Sequence, residues 1–358
     1  MNQGSINLWG GGIIGHNIFE EIIGLENLFL AWKEFKKGKT GNPDVQEFAL
    51  YLEDNIFQLH EELKTRRYTH GTYTPFFIAD PKLRHIHKAS VRDRLLHHAV
   101  FRILYPMFDR NFIYDSYSCR VGKGTHRAVD RLERFIAKLS QNNSRLVYAL
   151  KCDVRKYFDS ISHDILTRFI DRKIEDEGAR WLIGKILKSF SKSPGVGLPL
   201  GNVTSQLFAN IYLNELDQFV KHNLKAKCYL RYCDDFIILG ENKGHLFLLA
   251  KKINKFLFKS LKLSLHTNKI IIRKHRQGID FLGYVVLPYH RVVRTKTRKR
   301  IIRKFIEKRN EFDNGLVSEG SLKQSLNSYL GILKYCNGYE LENEMIWLSG
   351  WASIELTD

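Results

Sequence analysis

Two adjacent carboxylates, Asp234 and Asp235, sit in Cys228-Tyr-Leu-Arg-Tyr-Cys-Asp-Asp-Phe-Ile-Ile-Leu-Gly240, with a short apolar run on each side. The pattern predicts strand, tight turn, strand, with the acids at or beside the tip. Neighbouring carboxylates in a greasy hairpin repel each other and resist desolvation, so something must offset that cost. A divalent cation would, because hard ions such as Mg²⁺ prefer carboxylate oxygens and hold phosphates well. The plain alternative is a solvated acidic turn. A third acid weighs against it. Asp153 ends another apolar run, Leu146-Val-Tyr-Ala-Leu-Lys-Cys-Asp153, and Val-Arg-Lys-Tyr-Phe158 follows. No His or Cys with metal-ligand spacing competes, and His85, His87, His97 and His98 read as surface or core residues.

These acids are distant in sequence, so the fold must gather them. Residues 146–152 read as a strand, Ser162 as the N-cap of a helix over 163–174, and 191–201 as a turn-rich connector. Asn202 is expected to cap a helix reaching about His222. The hairpin follows, then a helix over 245–260 and strands near 269–273 and 279–287. The order βαββαβ from 146 to 273 is a split βαβ unit, which can set the end of its first strand beside the turn of its central hairpin. Upstream, 18–68 is helical, with Phe48, Leu52, Ile56, Leu59 and Leu63 on one stripe and a Gly/Lys/Asn/Pro loop at 38–43. Thr74 to Ile86 reads as extended. Arg92 to Phe108 reads as a helix burying Leu95, Leu96, Ala99, Val100, Ile103 and Leu104. From Thr295 the chain reads as helical to its end, broken at Gly315, Gly320 and Gly338.

The 358 residues suffice for two or three packed units. A formal net charge of +19 calls for a polyanion partner, nucleic acid or an anionic membrane surface. No apolar run approaches the roughly 18 residues of a membrane span. Leu8-Trp-Gly-Gly-Gly-Ile-Ile-Gly15 lacks a basic lead-in and is too short for a signal peptide. The five cysteines (119, 152, 228, 233, 336) are scattered without a Cys-x-x-Cys pair. They exclude a disulfide scaffold or zinc ribbon and fit a reducing cytoplasm, and without a spanning run or an amphipathic anchor no membrane partner is expected. Arg120-Val-Gly-Lys-Gly124 lacks the Walker spacing.

Residues 291–309 hold ten Lys/Arg against Glu307 alone, and Ile301, Ile302, Phe305, Ile306 and Phe312 give the same helix an apolar face. One side packs while the other can track phosphates, with salt-sensitive affinity. A nuclear-localisation or merely solvated segment is the alternative.

In this order the residues resemble a reverse transcriptase. Asp153 falls in the first palm motif and Tyr232-Cys-Asp-Asp235 in the YxDD box. Gly197-Leu-Pro-Leu-Gly-Asn-Val-Thr-Ser-Gln-Leu-Phe-Ala-Asn210 resembles the loop and helix beneath the template, and Phe281-Leu-Gly-Tyr284 the primer-grip hairpin. The resemblance implies an α+β right-hand polymerase. Its parts would be a helical N-terminal extension (1–70), fingers (71–145), a palm with a split βαβ, ferredoxin-like sheet (146–288, with a fingers return near 175–200) and a helical thumb (289–358). It implies an RNA-directed DNA polymerase that adds dNTPs to a DNA or RNA primer on an RNA template.

It further implies two Mg²⁺ ions, with Mn²⁺ able to substitute, about 4 Å apart. Asp153 and Asp234 would bridge both, Asp235 would assist the hydroxyl-side ion, and the Val154 carbonyl would contact the other. Phosphoryl transfer needs mainly positioning and charge neutralisation, which this set supplies. Phe158 would lie under the sugar and block a 2′-hydroxyl; the alternative is core packing. Lys82 and Arg84, in Asp80-Pro-Lys-Leu-Arg-His-Ile-His-Lys-Ala-Ser-Val-Arg-Asp-Arg94, would hold the triphosphate, unless this charge run is only a solvated face. Lys269 stands where such enzymes carry a lysine able to protonate pyrophosphate. Leu200 and Gly201 would adjoin the incoming nucleotide, and Phe281, Leu282, Gly283 and Tyr284 the primer. Arg294, Arg298, Arg300, Arg303 and Lys304 would follow the template–primer backbone on a thumb helix.

Leu200 departs from most of the family, which carries a glutamine whose amide helps fix the nucleotide. Leu200-Gly-Asn-Val-Thr-Ser-Gln206 is similar to the reverse transcriptases of diversity-generating retroelements. Those copy a template-repeat RNA, misincorporate opposite adenines, and work with a small basic accessory protein, an oligomeric accessory variability factor. About 70 residues follow Tyr284, enough for a three-helix thumb but not for an RNase H or endonuclease unit. A related bacterial reverse transcriptase of phage defence or a retron, and a catalytically idle RNA-binding module, are the competing readings.

Overall fold

The computed structural model describes residues 17–79 and 83–351, which divide into two compact units. Residues 17–79, 83–119, 154–225 and 252–266 form the first, and 120–153, 226–251 and 267–351 the second. In chain order, α1 (Ile18–Ile23), α2 (Leu25–Phe35), α3 (Pro43–Leu50) and α4 (Leu52–Lys64) lead into strands β1 (Thr74–Ala79) and β2 (Leu83–Lys88). Next come α5 (Val91–Asp109), α6 (Thr125–Leu139), β3 (Tyr148–Asp153), α7 (Tyr157–Ser160), α8 (His163–Asp171), α9 (Glu177–Lys188) and α10 (Val203–Gln218). Strands β4 (Tyr229–Tyr232) and β5 (Asp235–Gly240), helix α11 (Lys243–Leu261) and strand β6 (Ile271–Lys274) follow. The chain continues through β7 (Ile279–Phe281), β8 (Tyr284–Val286), β9 (Arg291–Val293), α12 (Thr295–Asp313), α13 (Glu319–Leu333) and α14 (Tyr339–Ser349). No helix among the described residues is long and apolar enough to cross a membrane.

The first unit is helical apart from the β1–β2 hairpin. On α2, Leu28, Ala31, Trp32 and Phe35 recur at helical spacing and are buried, and this helix packs on α5. Helix α5 buries Leu95, Leu96, Ala99, Val100 and Leu104, whereas Ile103 is only half-buried. Its start is fixed by Ser90, whose Oγ accepts from the Asp93 amide at 3.1 Å. The stripe expected from Phe48 to Leu63 is interrupted. The helix breaks at Tyr51, leaving Phe48 and Leu52 half-buried while Ile56, Leu59 and Leu63 are buried on α4. Ser162 and Asn202 do precede α8 and α10 in extended backbone, but neither side chain caps its helix. The Asn202 amide instead donates to the Tyr73 hydroxyl at 3.5 Å.

The second unit is built on a four-stranded sheet in the order β4-β5-β3-β6, antiparallel throughout. With helices between β3 and β4 and α11 between β5 and β6, this is the split βαβ arrangement. Phe236, Ile237, Ile238 and Leu239 on β5 are all buried, so this central strand reads as a continuous apolar run rather than an alternating one. Helix α6 packs against β4, β5 and β8. Strands β7, β8 and β9 form a separate meander. The last three helices close around Ile301, Phe305, Leu322, Leu326, Leu330, Leu333, Leu341 and Met345. Gly315 and Gly338 lie between these helices as expected. Gly320 does not break one; it lies inside the first turn of α13, capped by Ser318.

Candidate active site

Strands β4 and β5 are joined by the two-residue turn Cys233-Asp234, so Tyr232 pairs with Asp235 across the hairpin. Such a turn requires left-handed backbone, and Cys233 supplies it at φ 55°. A non-glycine residue held there costs on the order of 1–3 kcal/mol, which the flanking ladder must outweigh. Below the turn, Arg231 is fully buried, and its Nη1 donates to the Cys233 carbonyl at 3.0 Å. On its other edge β5 pairs with β3, in a register that makes Asp153 the partner of Asp235. The end of one strand and the start of another thus bring Asp153 and Asp235 face to face, with Asp234 next in the turn.

Electrostatics at this edge are unfavourable for bare carboxylates. Burial raises the Asp234 carboxyl above its usual range, the Asp153 charge adds to that, and Lys269 acts against it. Asp235 is pushed up to about 6, first by burial and then by the charges of Asp234 and Asp153, with Lys151 opposing. Two cations answer the three acids. Lys269, in the turn Thr267–Lys269, places Nζ 2.7 Å from Asp153 Oδ2. Lys151, two residues before Asp153 on the same strand, donates from Nζ to the Asp280 carbonyl at 3.0 Å.

The expected primer-grip segment is a tight hairpin with Leu282 (φ 50°) and Gly283 (φ 93°) at its tip. Phe281 and Tyr284 are buried, and the Tyr284 hydroxyl donates to the Ile332 carbonyl at 3.1 Å. Only Leu282 and Gly283 of the four are left to meet a ligand. The cations of the α12 region are partly spent within the unit. Arg294 is bound by Asp280, and Arg298 bridges to Glu344 at 3.0 Å and Glu340 at 3.7 Å. Arg303 faces Glu307 at 3.6 Å on the exposed side of the helix, and Arg300 and Lys304 are half-buried there.

In the first unit, four of the expected nucleotide-side positions share one backbone-bonded cluster. The Leu198 amide donates to the Phe158 carbonyl at 2.8 Å, and the His87 amide to the Leu200 carbonyl at 3.1 Å. Gly201 adopts φ 118°, and a Cβ there would stand 3.1 Å from Ile86 on β2. The loop carrying Leu200 and Gly201 is therefore bound to the strand that carries Arg84, which is exposed. Tyr157 takes the core position beside Phe158, leaving the Phe158 ring half-buried rather than packed away. Val154 is buried and paired with Leu265 in an isolated bridge. Lys82 lies outside the described residues.

Oxygen-only donors, two of them held above the ordinary carboxylate range, are the set that a hard divalent cation would relieve, so the residues fit such an ion. Among the described residues no group of three or more acid, His or Cys side chains is already placed to hold a metal ion. Sequence reasoning missed Lys151, Arg231 and Asp280. Lys151 was legible by strand period, two positions from Asp153 on the same face. A lone arginine amid apolar residues was the signal for Arg231.

The family model described as "Reverse transcriptase (RNA-dependent DNA polymerase)" matches residues 79–286. Protein YkfC of Escherichia coli (strain K12) is 27% identical over 286 residues, covering 69% of this chain and 71% of that protein. The group II intron-encoded protein LtrA of Lactococcus lactis subsp. cremoris is 26% identical over 327 residues, covering 70% of this chain and 52% of LtrA. The chain thus spans about half the length of that relative. Among solved structures, apo telomerase from Candida tropicalis aligns with a TM-score of 0.51 at 14% identity, over 79% of this chain and 59% of that one; this likeness is one of fold.

Proposed function

The chain belongs to the reverse transcriptase family, and from that premise we propose that it extends a primer 3′-hydroxyl with deoxynucleotides on an RNA template. The fold is the mixed helix-and-sheet, right-hand polymerase fold. The observation that carries the proposal is the strand register pairing Asp153 with Asp235, with Asp234 in the adjoining turn. These three carboxylates would hold Mg²⁺ or Mn²⁺, with the Val154 carbonyl assisting. Bound divalent ions would supply charge neutralisation for the attacking hydroxyl and the departing pyrophosphate. Lys269 Nζ, already bonded to Asp153, is the proton-bearing group able to serve the leaving pyrophosphate. The Leu282-Gly283 tip would steady the primer end, and Phe158 would line the sugar pocket and exclude a 2′-hydroxyl. Lys82 and Arg84 would bind the triphosphate. Arg294, Arg298, Arg300, Arg303 and Lys304, on and just before α12, would follow the template–primer backbone, with Arg294 and Arg298 first having to leave the carboxylates that engage them.

Within the family, Leu200 and the string through Gln206 support an error-prone enzyme of the diversity-generating retroelement type, working with a small basic accessory protein. Leucine has no donor or acceptor, so part of the geometric check on the incoming base would be lost. The likeness to LtrA favours a second reading, an intron-type enzyme of ordinary fidelity. Sequencing cDNA made on a defined adenine-containing RNA separates them. Misincorporation concentrated at template adenines, and reduced in Leu200→Gln, supports the first; uniform low error in both proteins supports the second.

A further inference from the structure

Residues 242–279 contain ten cations (Lys243, Lys251, Lys252, Lys255, Lys259, Lys262, Lys269, Arg273, Lys274 and Arg276) and no acid. The number of cations equals that of 291–309, spread over twice the length, and the polymerase site uses only Lys269 from it. Half of these cations lie on α11. That helix buries Leu246, Leu249, Ala250, Ile253, Leu257 and Leu261, while its lysines face solvent. None of its lysines forms an ion pair among the described residues. Large apolar side chains share the solvent face: Phe247 is 51% exposed and Phe258 71%. The Lys251 ammonium lies 4.7 Å from the centre of the Phe247 ring.

The spacing on this one helix is regular. Phe247, Lys251, Lys255 and Phe258 advance by three or four residues, which at about 1.5 Å per residue keeps them on one stripe at steps of roughly 5–6 Å, and Lys262 follows just past the helix end. Leu248, Lys252 and Lys259 flank it. Ammonium groups at that step can meet successive phosphates of a strand, and exposed rings between them offer bases a stacking surface. A duplex, whose bases are already stacked, has no use for the rings. We propose that the outer face of α11 is a binding surface for single-stranded RNA, separate from the template–primer path. A basic amphipathic helix can also lie on an anionic membrane. Here, however, the continuous apolar face is consumed by the core, and lysines interrupt the exposed rings at every turn.

The inference depends on the polymerase reading only in naming RNA as the strand. The test measures binding of the full chain to a labelled 30-nucleotide oligouridylate by fluorescence anisotropy, over a range of salt. An unlabelled short primer–template hairpin is kept in excess to occupy the polymerase path. The triple variant Lys251→Gln, Lys255→Gln, Lys259→Gln is expected to bind roughly tenfold more weakly, and its salt slope to fall by about 2. Phe247→Ser with Phe258→Ser should weaken binding by roughly tenfold at an unchanged salt slope. Extension of the short hairpin should be unaltered in both, which reports that the variants are folded. Oligouridylate affinities within twofold of wild type in both variants overturn the proposal. So does loss of binding to phosphatidylserine vesicles with RNA binding intact, which would assign the face to a lipid surface. An inactive or active Asp234→Ala enzyme bears on the polymerase reading alone.

Discussion

Lys269 Nζ stands 2.7 Å from Oδ2 of Asp153, a contact between the turn before β6 and the end of β3 that sets a cation against one of the three acids. The lysine and a divalent cation therefore compete for the same carboxylate. Lys269→Met removes the competitor, and the apparent Mg²⁺ affinity in primer extension should rise several-fold. The maximal rate should fall, because the proton-bearing group near the pyrophosphate is lost. Mg²⁺ titrations of both proteins check this. Unchanged metal affinity with an unchanged rate would reduce the contact to a surface ion pair.

The raised Asp235 carboxyl gives a pH signature. With a folded value of about 6 against an ordinary 3.8, the folded metal-free protein binds the proton more tightly than the unfolded chain. It therefore destabilises the fold increasingly as pH rises from about 4 to about 6 and by a constant amount above that, on the order of 3 kcal/mol at neutral pH. Asp235→Asn should raise the metal-free melting temperature at pH 7.5 and leave it nearly unchanged at pH 4. Protons compete with metal at the same oxygens, so wild-type extension at pH 5.5 should need several-fold more Mg²⁺ than at pH 7.5. A melting temperature lowered at pH 7.5 in Asp235→Asn would contradict the assigned repulsion.

Phe158 is left half-buried while Tyr157 fills the core, which suits a ring that meets a ligand. Phe158→Ala should raise ribonucleotide incorporation relative to deoxynucleotides by roughly tenfold or more, with little change in melting temperature. Competition assays with matched nucleotides measure it. A large loss of stability with unchanged sugar preference would return Phe158 to a packing role.

Much of the site was readable because strand and turn patterns are local. Asp153 closing an apolar run and Asp234-Asp235 splitting two such runs predicted a strand end and a hairpin tip, and the sheet order β4-β5-β3-β6 joins them. What escaped depends on partners far along the chain. Nothing local distinguishes a free Arg294 from one bound by Asp280, or an exposed Tyr284 from one whose hydroxyl reaches the Ile332 carbonyl. Ser162 and Asn202 carried the right residue type for caps, yet Asn202 turns to Tyr73. The break at Tyr51 was hidden because the apolar spacing runs unbroken across it. The lysines of α11 escaped because 245–260 reads in the sequence simply as a helix, while local charge was weighed at 291–309.

The most direct test of the central claim is single-turnover primer extension on a defined RNA template, comparing wild type with Asp153→Ala, Asp234→Ala and Asp235→Ala at saturating Mg²⁺. If the three carboxylates hold the ions for phosphoryl transfer, wild type extends the primer, chelation abolishes extension, and each variant loses on the order of 10³-fold or more in rate while remaining folded. A folded Asp234→Ala protein that extends primers within tenfold of wild type would contradict the account.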